Sequence, residues 1–248
     1  MSNNSNDEKK YDSLGKYVSL LTDILQNQET QTQETQILDG LANQRQTYMD
    51  IRDGLDRRMK YYFEMMIKKH WVSHTMEKLG DVCDIEQGCQ LTKKNMTDGE
   101  YNVIGGGKII GKHNINNRSG YETIITRVGG ELTISFIKES SYLTENEFSI
   151  RHSNIITNKF IYYLLSDSHV KSSLILLYSR NGDSGISKTE LENFEIPKID
   201  LKTQTQIVHY INNLETEKNT ITETMYQLDT DMREITQTYQ SDDNNIQP

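Results

Sequence analysis

Between Ile207 and Tyr239 the apolar residues fall at Ile207, Ile211, Leu214, Ile221, Met225, Leu228, Met232, Ile235 and Tyr239. The steps alternate four and three, Lys218 fills the one open place, and apart from Val208, Tyr210 and Tyr226 the residues between are polar or charged. On a helix this spacing draws a narrow stripe down one side, the pattern of a coiled-coil seam rather than of a helix lying on a broad core. Such a stripe escapes water only against another helix.

A second heptad-like series supplies a candidate partner. Leu41, Tyr48, Leu55 and Tyr62 recur every seven residues, with Ile37, Leu38, Ile51, Met59, Met65 and Met66 as companions. About 33 residues at ~1.5 Å each make a rod of roughly 50 Å, and Gly54 inside it costs about 1 kcal/mol. Residues 38–70 carry seven basic and five acidic side chains, whereas 203–240 carry two basic and six acidic. Opposite charge favours pairing the two helices with each other over pairing like with like. The expected interface is Leu41, Tyr48, Leu55 and Tyr62 on one helix, and Ile211, Leu214, Ile221 and Leu228 on the other.

Residues 1–36 read as a polar extension. Leu14, Val18, Leu21, Ile24 and Leu25 suit one short amphipathic helix, and Gln28–Gln36 (QETQTQETQ) is a low-complexity linker that either frays or extends the next helix. The expected divisions are this extension, a coiled-coil helix over 37–73, a domain over 74–201, a second coiled-coil helix over 202–240 and a disordered tail over 241–248. Within 74–201 short β-rich runs are broken by Gly, Asn and Asp: VCDIEQG, YNVIGG, ETIITRVGG, LTISFIK and EFSIRH. Thr157–Leu165 and Val170–Leu177 read as helices, and Phe194–Pro197 as a strand closed by proline. Ser187 with Glu190 three residues on has the form of a capping box. The fold class expected is α+β, one mainly antiparallel domain flanked by two long helices that form an antiparallel coiled coil.

Composition limits the function. Only 34% of the 248 residues are hydrophobic and the net charge is −9, which suits long helices with small cores. Cys83 and Cys89 suit two buried free thiols in a reducing compartment, not a disulfide framework or a metal site. No run spans a bilayer, and the polar start Met1–Asp7 does not read as a signal peptide. A cytoplasmic protein is expected.

Gly106–Lys112 matches the first part of a phosphate-binding loop, but His113 stands where a metal-binding hydroxyl belongs and no helix follows. A glycine turn between strands, with Lys108 and Lys112 projecting from it, is the simpler reading. The adenine-methylating Asn/Asp-Pro-Pro-aromatic motif is absent, since the prolines are Pro197 and Pro248. His70 and His74 lack the glutamate and third ligand of a helical zinc site. No nucleophile and base are paired, so neither catalysis nor a cofactor is expected of this chain itself.

The segment Gly185-Ile186-Ser187, Leu191, Pro197, Leu201, Gln204 and Ile207 resembles the frame that closes each target-recognition domain of type I restriction–modification specificity subunits. Arg45-Gln46, Tyr48, Arg52-Asp53 and Leu55 are similar to the end of that family's conserved helix. Leu79-Gly80-Asp81-Val82 resembles the opening of its recognition domain, and Tyr101–Gly107 its strand and glycine turn. The likeness covers roughly 38–240. The chain departs at Pro197-Lys198-Ile199 and Thr203-Gln204, where the family has Pro-x-Pro and Glu-Gln. It also has one recognition domain between two helices, half the usual arrangement.

The resemblance implies a non-catalytic subunit that reads double-stranded DNA in the major groove. Its helices would be gripped by an adenine methyltransferase subunit using S-adenosylmethionine, with an ATP-dependent nuclease subunit as a further possible partner. A half-length form would act as a homodimer or pair with another half-subunit. Candidate DNA contacts are Lys93, Lys94, Lys108, Lys112, Arg118, Arg127, Arg180, Asn181 and Lys188; Arg and Asn can pair bidentately with guanine and adenine edges. Against this, residues 74–201 hold 14 basic and 17 acidic residues, a weak electrostatic footprint for unaided DNA binding. A coiled-coil interaction or structural protein reusing the fold is the competing reading, and an isolated DNA-binding regulator a third. Basic residues gathered on one face favour the first. If two copies assemble through the helices, Leu214→Asp with Leu228→Asp yields monomers; an unchanged sedimentation mass counts against that assembly.

Overall fold

The computed structural model describes residues 4–72, 75–180 and 185–244. The chain opens with a helix, α1 (Asn4–Val72), and the last described element is another, α6 (Leu201–Asn244). Gln28–Gln36 lies inside α1, so this segment extends the helix. Its glutamines and glutamates are good helix formers with no Gly or Pro among them. Its threonines can return their hydroxyls to the helix backbone, as Thr35 does to the Gln31 carbonyl at 2.9 Å. No helix among the described residues is long and apolar enough to cross a membrane.

The chain divides into two compact units. The first, residues 1–55 with 216–248, contains only helical segments among its described residues. Along it Leu38, Leu41, Arg45, Tyr48, Arg52 and Leu55 are sheltered from solvent at alternating three- and four-residue steps, as are Lys218, Ile221, Met225, Leu228, Met232 and Ile235. The stripe on α1 differs from expectation in its companions. Ile37 and Ile51 are 46% and 43% exposed, and Arg45 and Arg52 hold the inward places. Arg45 reaches across to Asp229 through Nε at 2.5 Å.

The second unit, residues 56–215, holds the mixed domain. Between α1 and α6 the order is β1 (Met76–Lys78), α2 (Leu79–Val82), β2 (Asp84–Gln87), β3 (Tyr101–Gly105) and β4 (Lys108–His113). There follow β5 (Glu122–Thr126), β6 (Ile134–Ile137), β7 (Ser141–Leu143), β8 (Glu147–Arg151), α3 (Ile155–Ser166), α4 (Ser168–Ser179), α5 (Lys188–Glu192) and β9 (Glu195–Pro197). The strands form a four-stranded sheet β2-β8-β5-β6, a three-stranded sheet β4-β3-β7 and the pair β1-β9. Every pairing is antiparallel except β3 with β7. The five β-rich runs of the sequence and Glu195–Pro197 contain strands, and β4 is the strand expected after the glycine turn; β1 and β7 were not singled out.

The core of this unit joins the sheet to α3 and α4 and to the neighbouring ends of the two long helices. Phe63 and Ile67 of α1 and Ile207, Val208 and Ile211 of α6 are buried in one cluster with Ile85, Ile125, Phe148, Phe160, Leu164 and Leu174. Tyr62 stacks on Tyr210 with ring centroids 3.9 Å apart. Helix capping sets the local boundaries: Asn154 and Asp167 accept backbone N–H groups at the starts of α3 and α4. Both halves of the Ser187–Glu190 capping box are present at α5. Gln204 is buried; it accepts the Thr157 hydroxyl at 2.9 Å and donates to the Ile199 carbonyl at 2.8 Å, tying α6 to α3 and to the segment after β9. Lys159 and Tyr163 of α3 both reach Glu215, each at 2.8 Å. Because Ile207 is fully buried, Ile207→Ala is expected to cost about 2–5 kcal/mol, read as a lowered denaturant midpoint at unchanged m-value.

Candidate nucleic-acid interface

The Gly105–Gly107 run is the turn of a β3–β4 hairpin. Gly106 and Gly107 take φ of 59° and 72°, the left-handed values that two-residue hairpin turns require. The Gly107 N–H donates to Glu147 Oε1 at 2.7 Å, and a Cβ on Gly107 would fall 1.9 Å from Thr133 Oγ1. The turn is therefore pinned to the protein through the group that a phosphate-binding loop would offer its ligand. Strand β4 is an edge strand, and Lys108, Ile109, Ile110 and Lys112 are all exposed on it.

The segment 93–99 lies along the same edge. Its Met96 packs on Gly111, where a Cβ would come within 2.8 Å of the sulfur. Thr97 Oγ1 is 3.2 Å from His113 Nδ1 and accepts the Asn114 N–H at 3.0 Å. Lys93 and Lys94, in the single turn Lys93–Asn95, are exposed there. Four of the nine expected contacts, Lys93, Lys94, Lys108 and Lys112, thus share one sheet edge, with Asp98 and Glu100 among them.

The other five are placed differently. Arg118 is an internal post, its side chain only 9% exposed. It donates to Ser149 Oγ at 2.9 Å and to the carbonyls of Asn117 at 2.6 Å and Gln87 at 2.9 Å. Glu122 and Glu86 lie within 3.8 and 3.7 Å of it. Its fork is spent inside the protein, which corrects the expectation of a solvent-facing contact. Arg127 is half-buried with its guanidinium 6.0 Å from the Phe148 ring centre. Arg180 is exposed, and Lys188 is ion-paired with Glu192 at 3.5 Å. Asn181 lies outside the described residues.

Two buried carboxylates brace this part of the domain. Glu122 lines a polar cleft of about 460 Å³ beside Arg118, Arg151 and His152. Burial pushes its carboxyl above the ordinary range, against the pull of Ser149, Arg118 and Arg151. Burial likewise pushes Glu147 up, partly offset by the N–H groups of Gly107 and Gly106 and by Thr126. Cys83 is buried and its thiol is pushed up to about 12, mainly by burial, so it makes a poor nucleophile. Cys89 is exposed rather than buried as expected. Among the described residues no three His, Cys, Asp or Glu side chains gather as a metal site would need; the side chain of His70 and all of His74 lie outside them. Sequence reasoning missed Glu122, Glu147, Ile109 and Ile110. The Lys-Ile-Ile-Gly-Lys run after the glycine turn fits a strand, but nothing in the run itself says that it lies at an edge or that both isoleucines are exposed.

The model of the type I restriction modification DNA specificity domain matches residues 72–228. The chain belongs to that family. Its fold is shared with the S subunit of a type I restriction–modification system from M. genitalium, with a TM-score of 0.56 at 15% identity, over 84% of this chain and 57% of that one. It is shared also with the HsdS subunit from Thermoanaerobacter tengcongensis, with a TM-score of 0.52 at 15% identity, over 84% and 56%. The chain therefore spans little more than half the length of either relative. No curated protein matches its sequence.

A carboxyl whose value is raised by folding destabilises the native state as pH climbs out of the ordinary carboxylate range, because ionisation is disfavoured there. Glu147→Gln keeps an oxygen for the Gly107 N–H and removes that loss. At pH 7 it is expected to raise the melting temperature. Melts recorded from pH 5 to 8 should show a flatter pH dependence than the parent; parallel curves would contradict this assignment.

Proposed function

We propose that this chain is the DNA-reading subunit of a type I restriction–modification complex. The domain over 74–201 reads a short stretch of duplex, and the long helices pair as an antiparallel coiled coil that an adenine methyltransferase subunit grips. An ATP-dependent nuclease subunit is a further partner. Two half-length copies, or this chain and another half-subunit, supply two recognition domains at a spacing the helices fix. The chain contributes recognition and not chemistry, and it works in the cytoplasm.

The match of the specificity-domain model over 72–228 carries this reading. The lysine edge at β4 and Lys93–Asn95 supports it, because exposed lysines beside a pinned hairpin suit phosphate contacts that fix position on a duplex. Glu147, Thr133 and Gly107 hold the hairpin in one conformation, so its contacts need little ordering on binding.

The competing reading is an interaction or structural protein on the same fold, and the acidic balance of residues 74–201 favours it. A tagged copy recovered from its own cells separates the two. An adenine methyltransferase in the recovered complex supports the specificity-subunit reading, while recovery of the chain alone or with structural proteins overturns it. In that complex, Lys108→Ala with Lys112→Ala should weaken binding to all duplexes alike and lower the salt slope by about two.

A further inference from the structure

The β4 edge carries a feature that phosphate contacts do not explain. In the β3–β4 pairing Val103 faces Gly111, but the next residue, Ile104, faces Ile109. Ile110 is an extra residue with no partner, a β-bulge. A regular strand would send Ile109 and Ile110 to opposite faces; the bulge breaks that alternation and re-aims a side chain. As a result Ile109 is 64% and Ile110 is 43% exposed. The Ile110 side-chain tip lies close over Gly105, where a Cβ would come within 2.9 Å of it.

Two adjacent exposed isoleucines on an edge strand invite unwanted association. A bulge that displays them is a device for meeting something apolar. The surroundings say what kind of partner carries it. Lys93, Lys94, Lys108 and Lys112 flank the pair on the same edge and outnumber Asp98 and Glu100 there, so the partner is polyanionic. A two-stranded ribbon of this size fits the major groove of DNA, where the one apolar group on a base edge is the thymine methyl. Isoleucine offers no donor or acceptor, so it packs on that methyl, and a cytosine, with only hydrogen at C5, gives it no such contact.

We infer that Ile109 and Ile110, displayed by the β4 bulge, read thymine methyls in the major groove of the DNA target. This inference rests on the proposed function and makes it specific: the recognised half-site includes thymine beside the positions that the lysines hold.

The test uses the full chain together with whatever subunits co-purify from its own cells. Duplexes are selected from a random library and sequenced, and the preferred duplex is then rebuilt with deoxyuridine in place of each thymine in turn. This changes only the DNA methyl, so the fold of the protein is not in question. At one or two positions the replacement should lower affinity about tenfold, within the span of one good base contact. Ile109→Ala with Ile110→Ala should lower affinity for the thymine duplex similarly and remove its advantage over the deoxyuridine one. Equal affinity for thymine and deoxyuridine duplexes at every position overturns this inference alone. So does a double variant that binds DNA unchanged but loses a co-purifying subunit, since the pair then serves a protein contact. A preparation that enriches no duplex overturns both the inference and the DNA-reading function beneath it.

Discussion

The domain depends on burying the ends of its two long helices. Phe63 and Ile67 from one, and Ile207, Val208 and Ile211 from the other, enter the same cluster as the sheet residues Ile85, Ile125 and Phe148. Side chains of this size each withdraw about 1.5–3 kcal/mol worth of apolar surface from water. Without them α3, α4 and the four-stranded sheet would lose one side of their core.

The motif residues that link the chain to its family serve this packing. Leu79 is fully buried and donates its N–H to the Phe194 carbonyl. Gly80 leaves room for Glu192, Ile186 and Leu191 are buried, and Gln204 bridges α3 and α6. These positions can be recognised because a core permits few substitutions. Within the frame Ser187 and Leu201 are the exposed positions.

The exposed edge follows a different logic. Glu147 sits wholly inside the protein and still accepts the N–H of Gly107, so an internal carboxylate fixes the conformation of a surface hairpin. Arg118 does comparable work at the polar cleft, bound to a hydroxyl and two carbonyls with two carboxylates close by. Charged residues at these two places are structural. The cationic edge that remains is made of lysines alone, flanked by isoleucines. Long flexible point charges of this kind suit phosphates.

The sequence by itself determined the two helical seams, five of the β-rich strands, the capping box at Ser187 and the α+β class. These depend on repeats of 3.6 and 2 residues and on side chains that bond their own neighbours, all of which lie within one short window of chain. It could not separate Arg118 from Lys112, because an arginine spent on partners 31 residues away reads like any other arginine. Nor could it place Ile37 and Ile51 on the outside of α1 while Arg45 and Arg52 turned inward, since a heptad pattern with several apolar companions fits more than one rotation of the helix. The bulge at Ile110 is a matter of strand register. Register is decided by what β3 and Gly105 can accommodate across the hairpin, so only the tertiary structure could turn an unremarkable Lys-Ile-Ile-Gly-Lys run into an outward-facing apolar pair.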